Sequence, residues 1–228
     1  MGDTELGSAR LERWKTRGVV ILSLVGIIWV VEVINLSLGH GLCAFGIRPR
    51  SLIGLIGVPI SPFLHGSLQH TVSNTIPLLI LGWLVLDSGV NVFLELSLFI
   101  ILFEGCAVWL FGRSSIHVGS SGLVFGYFGF LLARGWYERS LRSIVIVVVT
   151  LLLYGGLIWR VFPTQSHVSW EGHLFGLVAG ILASYLEFAK VPRQLDDTEE
   201  TGRPERTPTV DVPDVDRLLA DLKSRNRP

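Results

Sequence analysis

The chain is poor in charged residues and has few cysteines. Of its 228 residues, 17% are Asp, Glu, Lys or Arg, and the formal net charge is zero. It contains no phosphate-binding loop, dinucleotide fingerprint, zinc-ligand spacing or basic nucleic-acid patch. Cys43 and Cys106 are too few and too far apart in sequence to indicate a disulfide framework. We therefore expect no metal, no cofactor and no nucleic-acid partner.

Long apolar runs, by contrast, are abundant. Half of the residues are hydrophobic and the mean hydropathy is +0.54, which is more apolar than a soluble domain of this length. A membrane-spanning helix needs about 20 mostly apolar residues. Six runs qualify, at about 19–37, 70–86, 91–111, 118–134, 143–161 and 171–189. The first is too long for a cleavable signal, so we predict an all-α membrane protein with six spans.

Polar segments flank this membrane domain, which we place at residues 19–189. Residues 190–228 hold 8 of the 19 basic and 9 of the 19 acidic residues, a composition that predicts a disordered tail. Nine basic residues lie at the chain start (1–18), after the fourth span and at the start of the tail, against four in the alternate loops. The positive-inside rule then places both termini in the cytoplasm.

Two glycine-flanked polar residues lie just inside apolar runs. Ser121 follows Gly119 in the fourth run, and His173 follows Gly172 in the sixth. Polar groups are costly in hydrocarbon, so their presence indicates function. A serine and a histidine are also a possible nucleophile and base.

The side chains of Ser121 and His173 can lie at a similar depth in the membrane and on helices that pack closely together. Ser121 lies about 20 Å along its helix from Arg134, and His173 about 25 Å from Lys190, at 1.5 Å per residue. Both runs carry glycines at four-residue spacing, which lets membrane helices approach backbone to backbone. These glycines are Gly122 and Gly126 in the fourth run, and Gly172, Gly176 and Gly180 in the sixth.

A third polar cluster begins the second run. His70 and Asn74 are four residues apart and so share one helix face. Both can donate hydrogen bonds to a developing oxyanion, as can the backbone N–H of Ser121. The alternative is that both only bridge helices. His65 remains open between a structural and a catalytic role.

Together these motifs resemble the rhomboid intramembrane serine proteases. The resemblance covers residues 19–189: six spans, G-x-S-G at Gly119 to Gly122, G-H-x-x-G at Gly172 to Gly176, and H-x-x-x-x-H-x-x-x-N on His65, His70 and Asn74. The segment 46–50 and His117 also look like bacterial members. No single motif would establish the resemblance, but the order of the motifs along the chain and their placement at the outer ends of the helices make it specific.

The resemblance implies a six-helix rhomboid-like bundle with a long outer loop between helices 1 and 2, in a bacterial inner membrane. It implies Ser121 as nucleophile, His173 as general base, and His70 and Asn74 as oxyanion donors. Transmembrane protein substrates would enter beside the fifth span, under a cap at 162–169, while the oligomeric state stays open. Phe125 departs from the tyrosine of many members, which keeps ring stacking on the histidine but removes a hydroxyl.

Other assignments within the site are possible. Ser120 is an alternative nucleophile, and His117 is an alternative base that we expect to precede the helix and face water. Glu171 would complete a triad, but two residues apart on a helix it and His173 point to different sides. We therefore favour a dyad and slow turnover.

Two other functions compete with proteolysis. The first is a non-catalytic rhomboid-like protein that binds membrane helices, against which the presence of both Ser121 and His173 argues. The second is a transporter using the intramembrane acids Glu95 and Glu104. No second half of the chain mirrors them as transporter repeats would, so we favour structural pairing for these acids.

Overall fold

The computed structural model describes residues 2–162 and 169–188, and these are helical apart from turns and one isolated antiparallel bridge between Ile47 and His117. The described part contains seven α-helices. They are α1 Gly2–Ser37, α2 Gly57–Ile60, α3 Leu68–Leu86, α4 Val90–Phe111, α5 Ser121–Glu138, α6 Leu141–Tyr154 and α7 Trp170–Phe188. Short 3₁₀ segments add Gly41–Phe45, Ile53–Leu55, Ser61–Phe63 and Gly155–Val161.

Three helical segments of the described residues are long and apolar enough to cross a membrane. They are Arg10–Ser37, Val90–Phe111 and Leu141–Val161. The apolar helical piece Ile53–Phe63 is shorter. The protein is thus an all-α integral membrane protein.

The helix ends depart from the apolar runs at three places. The first helix begins at Gly2 and passes through the predicted boundary at residue 18 without a break. The fourth run becomes helical only at Ser121, three residues after its predicted start. The fifth run changes from α-helix to 3₁₀-helix at Gly155, because consecutive glycines favour the helix poorly.

The core lies around α5, in which eleven residues are buried. Its glycines meet those of α7: a Cβ atom on Gly176 would collide with the carbonyl oxygen of Gly122, and one on Gly180 with that of Gly126. We call these four residues the glycine seam. The predicted backbone-to-backbone approach of the two helices is therefore present.

The long segment between α1 and α3 is fastened to the end of α4. The Arg50 guanidinium donates to the carbonyl oxygens of Leu110 (3.3 Å) and Gly112 (2.8 Å), and the Trp109 indole donates to Ser51 O at 2.7 Å. A cation at the carboxyl end of a helix satisfies carbonyls that lack intrahelical partners. This attachment fixes the end of α4, where the turn that leads to Ser121 begins.

Two predictions fall outside the described residues. The cap expected at 162–169 lies almost wholly in residues 163–168. The polar tail at 190–228 lies wholly outside the described residues. Both stay predictions.

Candidate active site

Ser121, His173, His70 and Asn74 line one cavity of about 670 Å³. The amino ends of α3, α5 and α7 converge there, and Arg160 of the 3₁₀ segment closes one side. The three motifs that are far apart in sequence therefore share one space.

Ser121 is the first residue of α5. The first N–H groups of a helix have no intrahelical acceptor, so this end of α5 presents donors and a positive dipole end. Ser121 is partly exposed to the cavity, whereas Ser120 is buried, with 1% exposure, and does not line it. The accessible hydroxyl is thus that of Ser121.

His173 is held by a hydrogen bond and by ring stacking. Its Nδ1 lies 2.9 Å from the carbonyl oxygen of Arg160, and a carbonyl accepts only, so Nδ1 carries the proton. Nε2 is then the basic nitrogen. The ring stacks on Phe125, with centroids 4.2 Å apart and planes 7° apart, so the predicted stacking is present.

Gly119 brings the serine turn against His70 and Asn74. Its φ is +121°, a conformation that favours glycine. A Cβ atom there would lie 2.7 Å from His70 Cε1 and 3.6 Å from Asn74 Nδ2. The turn before Ser121 can pass this close to the two predicted oxyanion donors only because residue 119 has no side chain.

His65 lies behind the cavity lining, fully buried at 0% exposure. Its Nε2 accepts from the Asn74 side chain at 3.2 Å and from the Ser120 N–H at 3.3 Å. Burial, assisted by the neighbouring His70, lowers the pKa of His65 from 6.5 to about 3, so the ring stays neutral. This geometry supports a structural role, in which His65 orients Asn74 and the serine turn.

His117 lines the cavity and is almost fully buried instead of lying exposed at the surface, which corrects our expectation. It is 4% exposed, because its backbone pairs with Ile47 and its ring turns inward. Nε2 lies 3.1 Å from Arg113 O, and Nδ1 lies 2.7 Å from the hydroxyl of Ser169. Burial lowers the pKa of His117, against the opposing hydrogen bond to Arg113.

The His117 contact links the two halves of the site. Ser169 directly precedes α7, and its hydroxyl accepts from the Gly172 N–H at 3.3 Å, as a helix cap does. His117 therefore connects the turn that carries Ser121 to the start of the helix that carries His173. Sequence reasoning missed this residue's partner, although Ser169 stands four residues before His173 just as His117 stands four before Ser121.

The acidic residues that the structure describes near the site do not form a triad with Ser121 and His173. Glu171 is buried and accepts from the Arg113 N–H at 3.2 Å, in line with the expectation that it points away from His173. The Glu104 carboxyl packs against Gly122 and Gly172, since a Cβ on either would lie 2.8 Å from it. Glu95 is exposed on α4.

Comparison with known proteins agrees with these features. The model of the Rhomboid domain matches residues 52–190. An uncharacterized protein of Mycobacterium tuberculosis is 40% identical over 183 residues, 76% of each chain. A putative rhomboid protease of Bacillus subtilis is 33% identical over 81 residues, 35% of this chain and 39% of its own.

A plant protein is also similar to this chain. The RHOMBOID-like protein 4 of Arabidopsis thaliana is 30% identical over 128 residues, 54% of this chain and 32% of its own. The domain match covers more than half of the chain, and the residues that line the cavity fall within the matched range. This chain belongs to the rhomboid family, whose members are in general intramembrane serine proteases.

Proposed function

We propose that this chain is an intramembrane serine endopeptidase that cleaves transmembrane segments with a Ser121–His173 dyad. The observation that carries the proposal is the 2.9 Å contact between His173 Nδ1 and the carbonyl oxygen of Arg160. Because Nδ1–H donates to the carbonyl of Arg160, Nε2 can take a proton in the cavity that Ser121 lines.

In the proposed reaction, Ser121 Oγ attacks the carbonyl carbon of the peptide while its proton moves to His173 Nε2. The oxyanion lies near His70, Asn74 and the Ser121 N–H, at the positive end of α5. His173 then gives the proton to the leaving nitrogen, and an acyl-enzyme forms. Water attacks this ester, its proton passes through Nε2 to Ser121 Oγ, and the new carboxyl end leaves.

Phe125 and Arg160 keep the base in place during these steps. The ring of Phe125 covers one face of the imidazole, and the Arg160 carbonyl fixes the rotation of the ring. A carbonyl stabilises the imidazolium less than the carboxylate of a triad would. Slow turnover follows.

The proposed membrane arrangement has six spans, with the cavity at the outer face and both termini in the cytoplasm of a bacterium. Besides the three long apolar segments, α3, α5 and α7 have 19, 18 and 19 residues. At 1.5 Å per residue these are about 27 to 29 Å long, close to the hydrocarbon thickness of about 30 Å.

The substrate in this proposal is a transmembrane helix that unwinds locally before it is cut. A helical peptide bond is shielded by its own turn and side chains, so an intact helix cannot present its carbonyl to Ser121. Glycine, proline or small residues near the cut weaken a helix. Substrates are therefore expected to carry such residues at the end nearest the cavity.

The first test is cleavage of a model transmembrane substrate in detergent. Ser121→Ala should lower the rate by about 10³-fold or more, while Ser120→Ala, the neighbouring hydroxyl, should keep measurable cleavage. Equal product from wild type and Ser121→Ala would remove Ser121 from the mechanism. Loss of cleavage in Ser120→Ala alone would make Ser120 the nucleophile.

The second test needs no substrate. A fluorophosphonate should modify Ser121 in the wild type and fail to do so in His173→Ala, as mass spectrometry of the labelled peptide would show. Absence of both labelling and cleavage in the folded wild type would favour the non-catalytic helix-binding alternative.

A further inference from the structure

An apolar groove runs between α1, α3 and α6 at the end of the bundle opposite the cavity. Its wider part has a volume of about 640 Å³, and a second part of about 380 Å³ continues it along α3. The two parts share Trp83 and Leu84. The lining side chains include Ile21, Leu79, Trp83, Leu84, Val145 and Ile146.

The wide end of this groove is charged. Asp87 and Arg142 line it together with the apolar side chains. The Asp87 carboxylate accepts from Arg142 and also, at 3.1 Å, from Arg17. One carboxylate thus faces two guanidinium groups, and an unbalanced positive charge remains at the groove mouth.

Arg142 is the partner that can bind something else. Its side chain is 71% exposed, against 20% for Arg17. An exposed ion pair contributes little to stability, so an anion can compete with Asp87 for this guanidinium. The planar guanidinium also suits the two oxygens of a phosphate.

The position of Arg142 matches the level of lipid headgroups. It is the second residue of the membrane-length segment Leu141–Val161, in which Leu141–Tyr154 is α-helix and Gly155–Val161 is 3₁₀-helix. At about 1.5 and 2.0 Å per residue the two parts are together about 35 Å long. That length is enough to cross a hydrocarbon layer of about 30 Å, so Arg142, next to one end of the segment, lies at the boundary of that layer. From Asp87 back to Leu79 the groove follows α3 for about 12 Å into the apolar layer.

We propose that this groove binds an anionic phospholipid, with one acyl chain against Trp83 and Leu84 and the phosphate on Arg142 and Arg17. The apolar lining supplies affinity that any phospholipid shares. The unbalanced arginines supply the preference for a lipid with net negative charge over a zwitterionic one, whose choline would meet a positive surface. The assignment is independent of the proposed proteolysis.

Fluorescence quenching by brominated lipids tests this proposal. The full chain is placed in bilayers of equal parts unlabelled phosphatidylcholine and either brominated phosphatidylglycerol or brominated phosphatidylcholine. Trp83→Phe serves as the blank, so the difference from wild type reports quenching at Trp83. We expect the anionic brominated lipid to quench this signal several-fold more effectively than the zwitterionic one.

Variants at the groove mouth make the test sharper. Arg142→Gln should bring the two lipids to nearly equal quenching, whereas Arg139→Gln should change nothing. Arg139 lies at the same end of the bundle and carries the same charge, but it contacts Trp136 and does not line the groove. Asp87→Asn should increase the anionic preference, because it removes the competitor for both arginines.

Three results would overturn the proposal. Equal quenching of wild-type Trp83 by both lipids would remove the anionic preference. An equal effect of Arg139→Gln and Arg142→Gln would reduce it to a general surface attraction. Unchanged quenching in Asp87→Asn with a native circular dichroism spectrum would show that the arginines hold no phosphate there.

Discussion

The glycine seam and α6 represent opposite ways of packing a helix in this protein. Across the seam, α7 touches the carbonyl oxygens of α5 directly, with no side chain between them. In α6, all of whose residues are described, only Ser143 and Thr150 are buried. The first contact is backbone on backbone, and the second leaves most of a helix surface free for lipid.

The two kinds of packing suit two different tasks: the seam positions the helices of Ser121 and His173, and α6 leaves room for a substrate to approach. Ser121 and His173 lie on the two helices that the seam joins, so the relative placement of their backbones is set by contacts that involve no side chain. Backbone contacts of this kind are stiff because close packing leaves no room for adjustment. The outward-facing α6 carries few such constraints, which suits the proposal that substrates approach beside it.

The largest expected effect comes from Gly180→Ala. The added methyl would collide with the Gly126 carbonyl, whereas Gly156→Ala, just after α6, meets nothing within 4 Å. Overpacking typically costs about 1 to 3 kcal/mol, so thermal unfolding in detergent should show a strong loss for Gly180→Ala and little change for Gly156→Ala. Equal melting temperatures for the two variants would break the comparison.

His117→Ala should reduce turnover without unfolding the protein. It removes the hydrogen bond to Ser169 that connects the serine turn to α7. We expect kcat to fall about tenfold, the equivalent of about 1.4 kcal/mol, with KM nearly unchanged. The matched control is Ser115→Ala, which deletes a different hydrogen bond to the same ring, at 3.2 Å. An equal loss of kcat there would show that the contact with Ser169 has no special role.

Phe125→Leu tests the stacking on the base. Ring stacking is worth about 0.5 to 1.5 kcal/mol beyond apolar burial, so fluorophosphonate labelling of Ser121 should slow by about two- to tenfold. Phe125→Tyr keeps the ring and should label at a rate near that of the wild type. Slowing by tyrosine as large as that by leucine would show that size, not stacking, is what matters.

The smallest effect is expected on the surface of α6. Leu152 is 81% exposed, and Leu152→Ala should change the free energy of unfolding by less than about 0.5 kcal/mol. Urea or thermal titration in detergent would measure this. A loss comparable to that of Gly180→Ala would mean that α6 is packed against a partner as firmly as the seam is.

Features that depend on local pattern were predictable from the sequence. The glycine spacing of α5 and α7 indicated their approach, and the glycines around Ser121 indicated that it lies near a helix start, although the helix begins three residues later than predicted. The beginning of α1 was not predictable in this way. Its polar first turns are helical although they carry no apolar signal, and contacts such as Lys15 with Glu12 at 2.7 Å support them locally.

Features that depend on contacts between distant segments were missed. His117 was expected in water because nothing local signals its pairing with Ile47, seventy residues earlier in the chain. The role of His65 stayed open because its partners, Asn74 and Ser120, come from two different motifs. Such partnerships are tertiary, and a single sequence does not display them.

The buried, neutral state of His65 determines how the stability of the protein depends on pH. Since its pKa is about 3, the ring keeps accepting from Asn74 and Ser120 when the medium is acidified well below neutrality. Below about pH 6.5 the His65 ring binds a proton in the unfolded chain but not in the folded protein. The free energy of unfolding therefore falls by up to about 1.4 kcal/mol for each pH unit of acidification. Mild acid is therefore expected to lower the free energy of unfolding while the folded protein keeps the hydrogen bonds of His65 to Asn74 and Ser120.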